Sequence, residues 1–233
     1  MTVCIIPARG GSKRIPKKNI KPFHGKALIG YSIENALASG LFNRVVVSTD
    51  DSEIAEVAIS FGAEVPFMRP AELADDHANT FDLLQHAARW IQTNDVSSEV
   101  MCCLYATAPF VEVGDLQQGY DLLSQHQEAD YVYSITEFPF PIQRSVRQNN
   151  GFVTPCFPEN MLKRSQDLEP IFHDAGQFYW GRVEAFAQKM NFFGNRSMAV
   201  VLPRYRVVDI DTPEDWEVAE IQFQVLKASG KLS

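Results

Sequence analysis

The sequence predicts an α/β fold, a Rossmann-like and mostly parallel sheet with helices on both faces, and three observations carry that expectation. Short apolar runs rich in branched residues alternate with segments of helical periodicity as far as about residue 135, which is the signature of βαβ units feeding a parallel sheet. The chain has 233 residues, 45% of them hydrophobic and 21% charged, the size and composition of one large globular α/β domain. No internal repeat, charge block or linker divides it, so a single domain is expected over residues 1–233.

The elements follow in order. Strands are expected at 3–7, 44–49, 64–68, 100–105 and 130–135, where five or six consecutive residues are too few for a helix and rich in Val, Ile and other β-formers. Helices are expected between them at 28–39, 51–61, 80–93 and 113–126, where apolar residues recur at helical spacing. Past residue 135 the regularity weakens. Residues 138–141 are proline-rich, 148–151 look like a hairpin turn, and 155–170 are polar and punctuated by proline. An arm inserted at about 138–170 is therefore expected. Alternation resumes with a strand at 177–180, a helix at 183–189, a strand at 198–202 and an extended run at 206–211. The last helix begins with Thr212 as cap, Pro213 at its first position and Asp215 completing a capping box.

Composition excludes several classes. No apolar stretch approaches the ~18 residues of a membrane span. The chain enters a strand at Val3 and then turns basic, the reverse of a secretory signal, so a cytoplasmic protein is expected. Cys4, Cys102, Cys103 and Cys156 form no C-x-x-C pair and are read as reduced, mostly buried thiols. With 21 Lys plus Arg against 29 Asp plus Glu the net charge is −8, which disfavours nucleic acid as a partner because that affinity rests on phosphate neutralisation. The distribution matters more than the total. Arg9, Lys13, Arg14, Lys17, Lys18, Lys21 and Lys26 all precede the first acidic residue, Glu34, and such a cationic segment suits a small, highly anionic ligand. Hydrolase chemistry has no anchor: His77 and His86 are too far apart for one helical turn, and neither H-E-x-x-H nor G-x-S-x-G occurs.

The strongest motif runs from Ile6 to Asn19, with Ala8, Arg9, Gly10, Gly11, Ser12 and Lys13 at its centre. A strand ending in a glycine pair lets backbone N–H groups approach a ligand while cations converge, which is the chemistry of a phosphate cradle. It is neither a Walker loop nor G-x-G-x-x-G, and a solvated basic turn is the plain alternative. Asp209 and Asp211 are two apart in an extended segment, so both carboxylates project to one face while Ile210 turns to the core. Paired hard oxygen donors suit Mg²⁺; alternatively Asp211 only assists the cap before Pro213 and Asp209 is solvated. In the segment from His173 to Trp180, alternation puts Gln177 and Tyr179 on one side and Phe178 on the other. Aromatics beside polar side chains suit a ligand with both apolar and hydrogen-bonding groups, and a packed strand would show the same pattern.

These motifs resemble the nucleotidyltransferases that activate acidic sugars as CMP conjugates, typified by the CMP-sialic acid synthetases. Their opening pattern, I-P-A-R-G-G-S-K-x-I-x-x-K-N, is followed through Asn19. The resemblance continues in Ser48-Thr49-Asp50-Asp51, in Arg69-Pro70-Ala71-Glu72-Leu73-Ala74, and in Asp209-Ile210-Asp211-Thr212-Pro213. It implies the nucleotide-diphospho-sugar transferase type of α/β fold, CTP and an acidic nine-carbon sugar as substrates, Mg²⁺ on Asp209 and Asp211, and Lys18 with Asp211 as catalytic residues. By the same resemblance Asn19, Arg69 and Thr80 join the loop at the nucleotide, and the arm makes a homodimer. Where the family has L-Q-P-T-S-P-L-R, this chain has Leu104-Tyr105-Ala106-Thr107-Ala108-Pro109-Phe110-Val111. Tyr105 in place of glutamine, together with the segment around Gln177 and Tyr179, resembles the branch that activates pseudaminic acid. Other acidic sugars (sialic, legionaminic or Kdo), a hexose phosphate, and a non-catalytic nucleotide-binding role on the same fold are the alternatives.

Overall fold

The computed structural model describes residues 1–73 and 80–232. Ala74 of the Arg69 motif and His77 lie outside the described residues. Ten strands occur among them: β1 (Thr2–Pro7), β2 (Pro22–Phe23), β3 (Lys26–Ala27), β4 (Arg44–Ser48), β5 (Val100–Leu104), β6 (Tyr131–Glu137), β7 (Val146–Asn149), β8 (Phe152–Pro155), β9 (Phe172–Arg182) and β10 (Ser197–Val201). The α-helices are α1 (Leu28–Ala38), α2 (Ser52–Ser60), α3 (Thr80–Asn94), α4 (Val113–Gln125), α5 (Val183–Ala187) and α6 (Pro213–Ala228).

Six strands make the central sheet in the order β10-β6-β9-β5-β1-β4. β1 is parallel to both β4 and β5, and β10 is parallel to β6. β9 is the exception, antiparallel to β5 and β6. The arm explains this: the chain leaves the sheet at the end of β6 and returns at that same end, so the incoming strand must run the other way.

Period-2 alternation sorts the strands' side chains into two layers. Cys4 and Ile6 of β1, Val45 and Val47 of β4, and Phe178 and Trp180 of β9 pack with Ile29 and Ile33 of α1, Ile54 of α2 and Leu116 of α4. Val3, Ile5, Val46, Cys103 and Tyr179 face the other way, against Leu83, Leu84 and Ile91 of α3 and Phe186 of α5. A third cluster joins Ile15, Phe23 and Phe110 to Ile210 and to Trp216 and Phe223 of α6. This cluster ties the C-terminal helix to the N-terminal loop. Cys4, Cys102 and Cys103 are buried free thiols, as expected, and Cys156 is partly buried. No helix among the described residues is long and apolar enough to cross a membrane.

Two expected strands fail to form ladders. Residues 64–68 touch β4 through only two isolated bridges, Val46 to Glu64 and Thr49 to Met68, because Pro66 sits between them without an N–H to donate. Residues 206–211 form no strand. A 3₁₀ turn at Arg204–Arg206 precedes them, and the run is anchored by a side chain instead: Arg206 donates to Asp115 Oδ2 at 2.5 Å and Oδ1 at 2.9 Å, and to the Phe110 carbonyl at 3.2 Å. The hairpin turn is confirmed at Asn150 and Gly151, both with positive φ (48° and 83°), the conformation an Asn-Gly turn supplies to a two-residue hairpin. α5 stops at Ala187, shorter than the expected 183–189.

Candidate active site

β4 and β5 flank β1 on opposite sides, so the sheet order reverses at the end of β1, where a crevice opens outside the strands' carboxyl ends. The loop after β1 fills one wall of it. Ala8 N–H continues the sheet by donating to the Ser48 carbonyl at 3.0 Å. Gly10 N–H donates to Asp50 Oδ1 at 3.0 Å, and a Cβ at Gly10 would stand 2.6 Å from Asp51 Oδ2 and 2.8 Å from Asp51 Cβ. Only glycine fits that approach. A Cβ at Gly11 would meet nothing within 4 Å. Buried Asn19 donates from Nδ2 to the Arg9 carbonyl at 3.0 Å, which fixes the start of the loop.

The cavity so formed has a volume of about 600 Å³. Arg9, Ser12, Lys13, Lys18 and Asn19 line it from the N-terminal loop, Arg69 and Thr80 from the far side, Tyr105 from the end of β5, and Asp211 from the C-terminal segment. Arg69 is buried and held by Ser48, donating from Nε to Oγ at 3.2 Å and from Nη2 to the carbonyl. Burial lowers its guanidinium to about 10.

Asp211 joins the two ends of the chain. Its Oδ1 accepts from Lys18 Nζ at 3.1 Å and its Oδ2 from Arg14 Nη2 at 2.6 Å, while Lys18 also reaches the Ile210 carbonyl at 2.5 Å. Partial burial pushes the Asp211 carboxyl upward, but the two cations outweigh it and hold the group below the ordinary aspartate value. Asp209 is pushed the other way, by burial and by the neighbouring charge of Asp211. Ile210 between them is fully buried, as alternation predicts. Thr212 caps α6 and forms the expected box with Asp215.

A second cavity, about 340 Å³, adjoins the first through Thr80 and Tyr105, which line both. Phe81, Leu84, Phe193, Tyr179 and Asp174 complete it. Tyr179 Oη donates to Asp174 Oδ2 at 2.8 Å, and Thr80 Oγ1 and Tyr105 Oη are 3.2 Å apart. Burial raises the Tyr105 phenol to about 12 and pushes Tyr179 up as well, so both rings stay neutral donors.

The structure thus gathers most of the residues singled out from sequence. Ala8, Gly10 and Gly11 shape the loop without lining the cavity, and of the aspartate pair Asp211 lines it while Asp209 does not. Gln177 is corrected: it lines neither cavity. Gly176 at φ +61° breaks the alternation upstream of Phe178, and the Gln177 side chain is buried with Nε2 donating to the Ala175 carbonyl at 3.0 Å. Asp174 was missed, and Arg14 was read only as one cation of the N-terminal segment. Asp-x-Gly is a turn signal, and Asp174 Oδ1 does accept the Gly176 N–H at 2.9 Å; that turn is what returns the carboxylate toward Tyr179.

The sequence pattern described as "Cytidylyltransferase" matches residues 3–226. A pseudaminic acid cytidylyltransferase of Campylobacter jejuni is 47% identical over 224 residues, 96% of each chain. A Helicobacter pylori protein named pseudaminic acid cytidylyltransferase and UDP-2,4-diacetamido-2,4,6-trideoxy-beta-L-altropyranose hydrolase is 34% identical over 95% of this chain and 42% of its own length. Among solved structures, a CMP:2-keto-3-deoxy-manno-octonic acid synthetase complexed with CTP superposes with a TM-score of 0.68 over 96% of this chain and 98% of that one, at 18% identity, a likeness of fold. The family pattern matches this chain almost throughout and a relative of that name is 47% identical to it over 96% of each chain, so the chain belongs to the cytidylyltransferase family.

Proposed function

We propose that the protein transfers CMP from CTP to the anomeric hydroxyl of pseudaminic acid, giving CMP-pseudaminic acid and pyrophosphate. The carrying observation is the pair of adjoining cavities, one cationic and one aromatic, sharing Thr80 and Tyr105 in a chain 47% identical to an enzyme of that name. In the reaction a bond forms between the sugar's anomeric oxygen and the α-phosphorus of CTP, the bond from that phosphorus to the bridging oxygen breaks in line, pyrophosphate leaves, and the hydroxyl's proton passes to water. Such a step needs positioning and charge neutralisation more than covalent catalysis by the protein. Arg9, Ser12 and Lys13 hold the triphosphate, Asn19 keeps their loop in place, and Lys18 stands where charge develops. Arg69 adds a fixed positive charge from behind. Tyr105 and Tyr179 present neutral hydroxyls and ring faces to the sugar.

Asp209 and Asp211 fit Mg²⁺. They are hard oxygen donors on one short extended run, with carboxylates close enough for one to raise the other's proton affinity. Among the described residues no group of three His, Cys, Asp or Glu is arranged as a complete metal site, and Mg²⁺ commonly takes one or two carboxylates plus substrate phosphates and water. When bound there it would neutralise triphosphate charge.

The arm supports a homodimer. Phe140 and Phe152 are each 81% exposed, and Val153 and Leu162 stand out beside them, an apolar surface that a second copy would cover. Light scattering is expected to give the dimer mass, and a monomer at micromolar concentration refutes it. A cytoplasmic location accords with the reduced cysteines and nucleotide substrate. The activity is tested by incubating the protein with CTP, Mg²⁺ and pseudaminic, N-acetylneuraminic, legionaminic or Kdo sugars, measuring pyrophosphate release and product mass. Pseudaminic acid should give by far the highest kcat/KM; equal or reversed values assign the chain to the broader sialic acid branch.

A further inference from the structure

We infer that Asp174 is a specificity-determining residue, a fixed carboxylate that accepts an acetamido N–H of the sugar and orients it in the second cavity; the inference rests on the substrate class proposed above. The two cavities differ in charge. Arg9, Lys13, Arg14, Lys18 and Arg69 line the first, whereas no lysine, arginine or histidine lines the second among the described residues, and its one charged lining group is Asp174.

An acidic sugar entering the pair has only one favourable orientation. Its own carboxylate is repelled from the second cavity and drawn to the cations of the first, so the end bearing the acetamido groups goes in among Phe81, Leu84, Tyr179 and Phe193. The aromatic and aliphatic walls suit the acetyl methyls. Asp174 stands at the exposed edge of this cavity, where an amide N–H of the sugar gains more from a carboxylate acceptor than from a neutral one. Asp174 is the carboxylate that lines this cavity, and it is held in place from two sides: Oδ1 by the Gly176 N–H at 2.9 Å and Oδ2 by the Tyr179 hydroxyl at 2.8 Å. A carboxylate has about four acceptor positions, so further ones remain on the same two oxygens. Thr80 and Tyr105 form the shared wall through which this end of the sugar is registered against the nucleotide, and the Tyr179 ring lies behind Tyr105 with centroids 5.4 Å apart.

The test compares pseudaminic acid with an analogue whose acetamido nitrogens are replaced by oxygen, so that acetoxy groups keep the shape and lose the N–H. The wild-type enzyme should use the amide sugar at least ~10-fold better in kcat/KM, the range for a charge-assisted hydrogen bond. In Asp174→Ala that preference should fall below about threefold while the KM for CTP stays within twofold of wild type. Should Asp174→Ala fail to fold, Asp174→Asn carries the comparison: a neutral amide oxygen accepts more weakly, and the preference should shrink to an intermediate value. Unchanged discrimination in a folded Asp174 variant, or an equal loss for both sugars with a parallel rise in the KM for CTP, overturns the inference. Absence of turnover of pseudaminic acid by the wild-type enzyme refutes the proposed substrate itself; turnover with a preference independent of Asp174 refutes only the role given to this residue.

Discussion

Replacing Gly10 by alanine should separate the two glycines of the loop. The added Cβ would meet Asp51 Oδ2 at 2.6 Å and Asp51 Cβ at 2.8 Å, and the second of these is not a flexible tip that can swing away. Asp51 is also the N-cap of α2, its Oδ1 accepting from Glu53 N–H at 2.8 Å and Ile54 N–H at 3.2 Å. Relief therefore requires moving the loop off the helix or giving up the cap. Overpacking of this kind costs about 1–3 kcal/mol, and a lost cap about 1 kcal/mol, so a total near ~2 kcal/mol is expected. For a chain of this size that lowers Tm by roughly 4–8 °C. The displaced loop carries Arg9, Ser12 and Lys13, so the KM for CTP should rise in the same variant. Gly11→Ala is the control, since its Cβ meets nothing within 4 Å, and it should melt within about 2 °C of wild type. Thermal melts by circular dichroism and CTP titrations of both variants decide the matter. If Gly10→Ala were as stable as Gly11→Ala and bound CTP as well, the close approach of loop and helix would not be what holds the cradle.

Arg9→Ala should raise the KM for CTP by one to two orders of magnitude, the loss of a charge-assisted phosphate contact of about 1.5–3 kcal/mol; an unchanged CTP titration would return the loop to a solvated basic turn. Asp209→Asn and Asp211→Asn should each lower turnover far more than they lower Tm, because both groups lie outside the packed core, and near-normal turnover across a Mg²⁺ titration would remove the metal from this pair. Asp115→Ala removes the bidentate partner of buried Arg206 and leaves Glu112, 3.3 Å away, as its remaining carboxylate, which should cost about 3 kcal/mol in urea denaturation; a loss below ~1 kcal/mol would mean that Glu112 or water takes the place of Asp115.

What could be read locally was decided locally. The βα alternation up to residue 135, the Asn150-Gly151 turn, the Thr212 cap with Pro213 and Asp215, and the glycine pair between a strand and a cationic run each depend on residues within a few positions of one another. Periodicity, capping and turn chemistry act over that range, so sequence alone determined them, and with them the position of the glycine-rich loop after β1. Tertiary structure decided the pairings. Lys18 and Arg14 meet Asp211 only because α6 packs on Phe23 and Ile15 through the third core cluster, and nothing near either cation in the sequence points to that partner. The reversed direction of β9 follows from where the arm returns. Pro66 and the Gly176 turn show the same limit at smaller scale: each breaks a regular pattern, and the neighbouring chain determines where the displaced groups go. Gln177 folds onto its own backbone while Asp174 turns toward Tyr179, since side-chain destinations are set by which surfaces the closed chain brings together, and alternation specifies only the side of a strand.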